Sequence, residues 1–207
     1  MRHLTWLAAV AGSAALVLAG TAAATAAPQN TAGGRAASVA LRGGHTTVTT
    51  GKGIASALLA NSIVPLAVSP GSESLAANLK APAARLTFPV TGGRVGLKPL
   101  GGNVDHRGGI LFVDTKTGKT VEVSNFIISL KHADLTGIVN GNPKARVVLL
   151  WLNLSHATLH VYRHWVVASN IKLTLSAGAA SALNSALGTT LFSGGLALGS
   201  ARTALRI

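Results

Sequence analysis

Short runs of β-forming residues alternate with turns that carry glycine, proline or asparagine, from residue 45 to the C-terminal end. The runs recur at spacings of roughly ten residues, which is typical of an antiparallel sandwich or barrel. The predicted strands are His45–Thr50, Ile63–Val68, Arg85–Pro89, Ile110–Val113, Thr120–Ile128, Leu135–Val139, Arg146–Leu154, Thr158–Tyr162, Trp165–Ala168, Ile171–Leu175 and Leu196–Ala204. The sequence therefore predicts a mainly β fold, an antiparallel β-sandwich or barrel-like sheet.

Turn signals separate several of these runs. Thr91-Gly92-Gly93, Lys116-Thr117-Gly118 and Asn140-Gly141-Asn142-Pro143 each place glycine or asparagine where a tight turn needs a positive φ. The bulky side chains within the runs are expected to form the core. The first candidates are Phe88, Ile110, Phe112, Val121, Val123, Phe126, Ile128, Leu149, Trp151 and Leu173.

Two segments rich in alanine and leucine interrupt the strand pattern and predict short α-helices. They are Lys52–Ala60 and Ala177–Leu187. Ser176 is a suitable N-cap for the second helix, and Gly188 is suited to its C-terminal end. The tetrapeptide Ala-Ser-Ala-Leu occurs in both segments. Either a strand–helix–strand unit occurs twice in the fold, or the match is a chance result of alanine-rich composition.

The N-terminal segment has the features of a secretion signal. A short head containing Arg2 precedes a long uncharged run, and an Ala-Thr-Ala sequence ends at Ala26. Residues 1–26 are therefore predicted to be a signal peptide cleaved near Ala26. An uncleaved membrane anchor is the alternative, but the second half of the run is alanine and threonine instead of leucine and isoleucine. Residues 27–44 are predicted to be a flexible lead-in, and residues 45–207 a single β-rich domain.

The chain is strongly basic, with 18 lysine and arginine residues against 5 acidic ones and a formal charge of +13. Loss of Arg2 with the signal peptide lowers this charge by one, to +12. The basic residues are spread evenly along the chain, so the sequence does not predict a nucleic-acid partner. Cysteine is absent, which excludes disulfides and a lipoprotein anchor. We therefore expect a secreted protein, extracellular or associated with the cell wall, without a membrane span in the mature chain.

Catalytic motifs are missing from the sequence. Neither the G-x-S-x-G pattern of hydrolases nor the H-E-x-x-H pattern of zinc proteases occurs, and only five carboxylates are present. Asp105 and His106 are neighbours, so on a strand their side chains point to opposite faces and cannot pair directly. The sequence therefore predicts a protein that is not an enzyme.

One short segment concentrates side chains that bind metals or haem iron. His156, His160, Tyr162 and His164 occupy even-numbered positions, which share one face of an extended strand. Imidazole and phenolate groups are both established ligands of transition metals and haem iron. The alternative is that Tyr162 and His164 lie at a hairpin turn that separates the side chains, so that the histidines are ordinary surface residues.

Several short motifs carry a resemblance to a known family of secreted proteins. They are Leu86–Gly93, Leu100–Phe112, Val123–Phe126, Leu152–Ser155, Ala182–Asn184 and Gly195–Gly199. Together they resemble secreted actinobacterial proteins with the HtaA-like, haem-transport-associated domain, over most of residues 46–204. The resemblance implies a β-rich extracytoplasmic domain with short helices. It also implies haem binding through a tyrosine aided by a histidine.

The resemblance bears directly on two residues. His106 lies in a His-x-Gly-Gly segment similar to the family's glycine- and histidine-rich strand start. Tyr162 is the single tyrosine of the chain and lies late in it, whereas the family's ligand tyrosine lies early in the domain. The sequence thus predicts a non-catalytic, secreted cell-envelope binding protein of the HtaA-like type. Haem is its candidate ligand, and Tyr162, His106, His160 and His164 are the candidate residues for haem or a metal ion; the sequence establishes no cofactor. The alternative is a structural or adhesive cationic protein held to anionic cell-wall polymers.

Overall fold

The computed structural model describes residues 38–76, 83–97 and 100–207. The predicted signal peptide and its cleavage site lie outside the described residues. The described chain forms thirteen strands and two helices. In chain order they are β1 (Ser38–Ala40), β2 (Gly43–Thr50), α1 (Ile54–Ala60), β3 (Ile63–Val68), β4 (Ser72–Ala76), β5 (Ala83–Leu97), β6 (Leu100–His106), β7 (Gly109–Asp114), β8 (Thr120–Ser129), β9 (Asp134–Val139), β10 (Asn142–Asn153), β11 (Thr158–Tyr162), β12 (Trp165–Leu175), α2 (Ala177–Leu187) and β13 (Ala197–Arg206).

Eight strands form a closed antiparallel barrel. Their order around the ring is β5, β2, β13, β12, β10, β9, β8 and β6, and β6 pairs back onto β5. Closure pairs Val90 with His106 on one side of β6 and Val104 with Ile128 on the other. The mainly β prediction is therefore confirmed in its barrel form, and the two separate sheets of a sandwich are not seen among the described residues.

Five further strands extend the barrel at its rim. β1 and β4 pair with β5, β7 pairs with β8, β3 pairs with β7, and β11 pairs with β12. β1 lies within residues 27–44, the segment that the sequence predicted to be a flexible lead-in. Its three residues pair with Arg94, Val95 and Gly96 of β5, so ordered structure begins before residue 45.

The predicted turn at Thr91-Gly92-Gly93 is wrong, because these residues lie inside the fifteen-residue strand β5. The pairing of β5 with β6 shifts register between Val90 and Gly92, and Gly93 has φ of 115°. A side chain at Gly93 would collide with the Asn103 carbonyl oxygen. The glycines therefore mark a bulge where the strand bends to follow the barrel, not a chain reversal.

Strand β12 joins two segments that the sequence predicted as separate strands. Its pairing with β13 shifts register between Ala168 and Ile171, and Asn170 between them has φ of 61°. A bulge at this point keeps the chain hydrogen-bonded on both sides while breaking the side-chain alternation. The sequence shows the interruption, but only the pairing shows that it is a bulge.

The two helices match their predicted positions closely. The side chain of Ser176 caps α2 by accepting a hydrogen bond of 3.0 Å from the Ala179 amide, and Gly188 ends the helix with φ of 70°. Helix α1 begins two residues later than predicted, after Gly53, and has no side-chain cap. Each helix connects two barrel or rim strands, so a strand–helix–strand unit does occur twice. No described helix is both long and apolar enough to cross a bilayer.

The barrel interior and the inner sides of both helices share one hydrophobic core. Nine of the ten predicted core residues are buried or pack against it; the exception is Trp151, which is 47% exposed. The register of β10 shifts by a residue between Val148 and Leu150. This bulge leaves Trp151 on the outside, opposite Thr174 of β12, while Leu150 lines the interior.

Candidate ligand-binding cavity

An apolar cavity of about 210 Å³ lies inside the barrel, at the end covered by the two helices. Both helices and the inner faces of the surrounding strands line it. Its polar lining side chains are Thr46, Thr50 and His106; the others are aliphatic, proline or phenylalanine. Phe88 and Phe126 form part of the wall and pack edge to face, with ring centroids 5.0 Å apart. Such a space favours a ligand that is mostly apolar with few polar contacts.

His106 is held in place by a short chain of hydroxyl groups. Its Nε2 lies 2.7 Å from Thr46 Oγ1, and Thr46 Oγ1 lies 3.0 Å from Thr203 Oγ1. The two threonines face each other across β2 and β13, and His106 ends β6. All three side chains are buried. Strand pairing thus brings together residues separated by up to 157 positions along the chain.

The second ring nitrogen of His106, Nδ1, has no hydrogen-bond partner among the described residues. Nδ1 is fully buried and makes no hydrogen bond within the described part of the chain. In the tautomer in which Nε2–H donates to Thr46, Nδ1 carries the lone pair and can accept a hydrogen bond or bind a metal ion. In the other tautomer, Nε2 accepts from the Thr46 hydroxyl and Nδ1–H can donate a hydrogen bond. Buried polar atoms are nearly always satisfied, so an unpartnered one beside a cavity is a natural contact point for a ligand.

Burial controls the protonation of His106. Removal from water lowers the pKa of its imidazole from 6.5 to about 4. The backbone carbonyls of Phe126 and Val104 and the Asp105 carboxylate oppose this change, although neither carbonyl makes a well-formed hydrogen bond with Nδ1. Desolvation dominates because the charged form loses its hydration in an apolar wall. His106 is consequently neutral at physiological pH, the form in which histidine binds metals.

The structure separates the other predicted site residues from His106. His156 lies in the turn before β11, His160 and Tyr162 lie on β11, and His164 lies in the following turn. All four side chains are exposed, Tyr162 by 65%. Within the described ranges, no three histidine or acidic side chains are grouped closely enough to hold a metal ion. The cavity lining therefore includes one of the predicted site residues, His106, and no tyrosine.

Sequence reasoning missed Thr46 and Thr203. Both lie on strands that were predicted correctly, and both fall on the inward-facing positions of those strands. A threonine at an inward position among apolar neighbours indicates a buried polar contact, because a buried hydroxyl needs a hydrogen-bond partner. Which partner it finds depends on strand order, which the sequence does not state.

The fold of this chain is similar to that of a solved protein domain. The chain is similar to the C-terminal domain of HtaA from Corynebacterium glutamicum, with a TM-score of 0.54 and 16% sequence identity over 79% of this chain and 98% of that one. The fold is that of an HtaA domain. A domain-swapped dimer of a histidine-to-alanine variant of the same HtaA domain is also similar, with a TM-score of 0.46 and 20% identity over 68% of this chain and 86% of that one.

The HtaA likeness rests on structure. No family model matches the sequence, and no curated protein matches it. At this level of identity the likeness concerns the fold, and it agrees with the HtaA-like resemblance of the sequence motifs. The cavity lining of this HtaA-like barrel determines which ligands its interior can bind.

Proposed function

We propose that this chain is a non-catalytic binding protein of the HtaA-like type, exported to the cell envelope, with its ligand held in the cavity beside His106. The single observation that carries the proposal is a buried, neutral imidazole with an unpartnered Nδ1 in an otherwise apolar cavity. No acid, base or nucleophile lies beside His106 in the lining apart from two threonine hydroxyls. The lining therefore favours binding over chemical conversion.

The volume of the cavity indicates the size of the ligand. An apolar cavity of about 150 Å³ in another protein holds a benzene molecule. The cavity here, at about 210 Å³, is suited to a molecule with one or two fused rings or a short aliphatic chain. A single polar group that forms a hydrogen bond with Nδ1 of His106 would fix the orientation of such a ligand.

Haem is the ligand suggested by the family resemblance, and the cavity fits it in one respect only. His106 offers a neutral imidazole, which is an established axial ligand. The volume is below the roughly 300–1,000 Å³ typical of pockets for drug-sized molecules, and haem is larger than most of these. Tyr162, the only tyrosine, lies outside on β11. A cavity of this volume therefore does not fit haem, and a smaller apolar ligand is the better match.

Blocking the entrance tests the proposal. Ala57 lines the cavity but is exposed on α1, so Ala57→Phe should obstruct access without disturbing the core. Ala60→Phe, on the same helix and also exposed, is the matched control. Naphthalene and indole are the probes. At ten times Kd, a bound probe should raise the free energy of unfolding by about 1.4 kcal/mol.

The proposal requires that the probes raise the Tm of the unmodified chain and of Ala60→Phe, but not that of Ala57→Phe. If neither probe raises any Tm, or if both variants respond alike, the cavity is not a binding site.

A hemin titration separates the haem version from the smaller ligand. A Soret shift that is lost in His106→Ala and kept in Tyr162→Ala would show that haem binds at His106. An unchanged Soret band, or a shift that survives His106→Ala, would eliminate haem as the cavity ligand.

A further inference from the structure

Charge is divided unequally around the barrel. The five acidic residues of the chain all precede residue 135 and lie on the rim strands β4 and β7 and on β6, β8 and β9. They are Glu73, Asp105, Asp114, Glu122 and Asp134. Residues 135–207 contain no acid and include six cations. These are Lys144, Arg146, Arg163, Lys172, Arg202 and Arg206. The basic residues are spread evenly along the chain but the acidic ones are not, so the strands after β9 carry cations without acids.

Three of these cations point outward from neighbouring strands. Thr203 on β13 faces the interior. Arg202 and Arg206 lie one and three residues from it, so their side chains face outward, and both are exposed. Leu173 is 1% exposed and faces inward on β12, so the adjacent Lys172 faces outward and is also exposed. We call the outer side of β11, β12 and β13 the basic outer face.

An aromatic pair lies at one end of the basic outer face. Tyr162 of β11 is paired directly with Trp165 of β12, and their side chains are 65% and 39% exposed. The Arg163 guanidinium lies 5.2 Å from the centre of the Tyr162 ring, and Arg206 is paired with Trp165 across β13. Each exposed ring therefore has an arginine beside it, and no acidic residue occurs on these three strands.

We propose that the basic outer face binds an anionic polysaccharide, with Arg202, Arg206 and Lys172 contacting its acidic groups and the Tyr162–Trp165 pair contacting its sugar rings. Guanidinium groups pair well with carboxylates in two-point hydrogen bonds. Flat aromatic faces provide large apolar contacts for rings that also carry polar groups. Because no acidic side chain on these strands neutralises the cations, they attract a polyanion.

The shape of the surface favours a polymer over a lipid bilayer. From Trp165 to Lys172 the face extends along β12 for roughly 20 Å at about 3.3 Å per residue, enough for several units of a chain. The hairpin tip between β11 and β12 carries Arg163 and His164, so it does not present an apolar tip for insertion into lipid. A chain lying along the side of the barrel reaches the cations and both rings together.

Calorimetric titration of the full chain with polygalacturonate, a carboxylated glycan, tests this proposal. Neutral dextran should not bind, and the affinity for polygalacturonate should fall as salt is added. The double variant Arg202→Glu, Arg206→Glu should weaken binding by about tenfold or more, since two attractions become repulsions. Tyr162→Ala, Trp165→Ala should also weaken binding, by about fivefold to tenfold.

The matched control is Lys116→Glu, Lys131→Glu, which changes the net charge equally but in exposed turns after β7 and β8. It should weaken binding by less than about threefold, because the charges are exposed and screened. Equal losses in the two charge variants would show binding by net charge alone. An aromatic variant of unchanged affinity would remove the glycan assignment, as would tighter binding to phosphatidylglycerol vesicles or to polyphosphate than to polygalacturonate.

Discussion

Histidines occupy two contrasting regions of this molecule. His106 is 5% exposed in the wall of the cavity and hydrogen-bonded to Thr46. His160 and His164 are exposed on the arm formed by residues 158–165, beside cations and aromatic rings. Burial makes the first a neutral side chain with an open nitrogen, while water surrounds the others. The comparison teaches that the environment of a histidine, not its spacing from other histidines, decides what it can bind.

The largest difference in stability is expected between variants that remove an aromatic side chain from the cavity wall and from the arm. Phe88 is 4% exposed and packs against Phe126, so Phe88→Ala should lower the free energy of unfolding by about 3–5 kcal/mol. Tyr162→Ala on the arm should lower it by less than about 1 kcal/mol, because the ring is mostly in water already. Urea unfolding of both variants measures the difference. Similar losses would mean that the arm is part of the core.

The second-largest difference between the two regions is expected in how stability depends on pH. The pKa of His106 is about 4 when folded and 6.5 in the unfolded reference, so the unfolded chain binds the proton more readily. The free energy of unfolding should therefore fall as the pH drops from about 6.5 to 4, by roughly 3 kcal/mol from this group.

Replacing the two kinds of histidine isolates this effect. His106→Gln should flatten the stability profile between pH 6.5 and 4 relative to the unmodified chain. His160→Gln, on the exposed arm, is the control and should retain the full slope. Stability measured by urea unfolding at several pH values tests this, and a His106→Gln profile parallel to the original would contradict the assignment.

A smaller effect is expected when the hydroxyl that supports His106 is removed. Thr46→Val should lower the free energy of unfolding by about 1–3 kcal/mol, because Nε2 of His106 loses the hydroxyl to which it is hydrogen-bonded. Thr47→Val removes the next hydroxyl along β2, which points outward and lies 3.1 Å from Thr87 Oγ1. Because water can replace that contact, the loss should be below about 1 kcal/mol. Thermal unfolding of the pair compares them, and equal losses would count against a special role for Thr46.

Local features of the fold were predictable from the sequence. The bounds of β3, β11 and α2 agree with prediction residue for residue, and both caps of α2 were identified. These elements are set by side-chain alternation, helix propensity and capping, which act over a few neighbouring residues. Errors occurred where barrel curvature overrides local signals, as at the Gly92–Gly93 bulge and at Trp151.

The candidate site was only partly predictable, because closeness in sequence does not show which ligand-type residues meet in the fold. His156, His160, Tyr162 and His164 lie within nine positions, yet the edge strand β11 leaves both of its faces exposed. His106 was named as a candidate, but its partners Thr46 and Thr203 were not. The contacts that matter span 60 and 157 positions, beyond the reach of any local pattern.

The sequence by itself determined that the described chain is a β-rich domain with two short helices, and that acidic side chains are confined to its first two thirds. Side-chain alternation and composition are properties of the sequence itself, so they can be recognised without a structure. Only the tertiary structure decided which face of each strand turns inward. Closing the sheet into a barrel buried His106 beside two threonines and an apolar cavity, and strand pairing placed Arg206 beside Trp165. Both results depend on strand order and register.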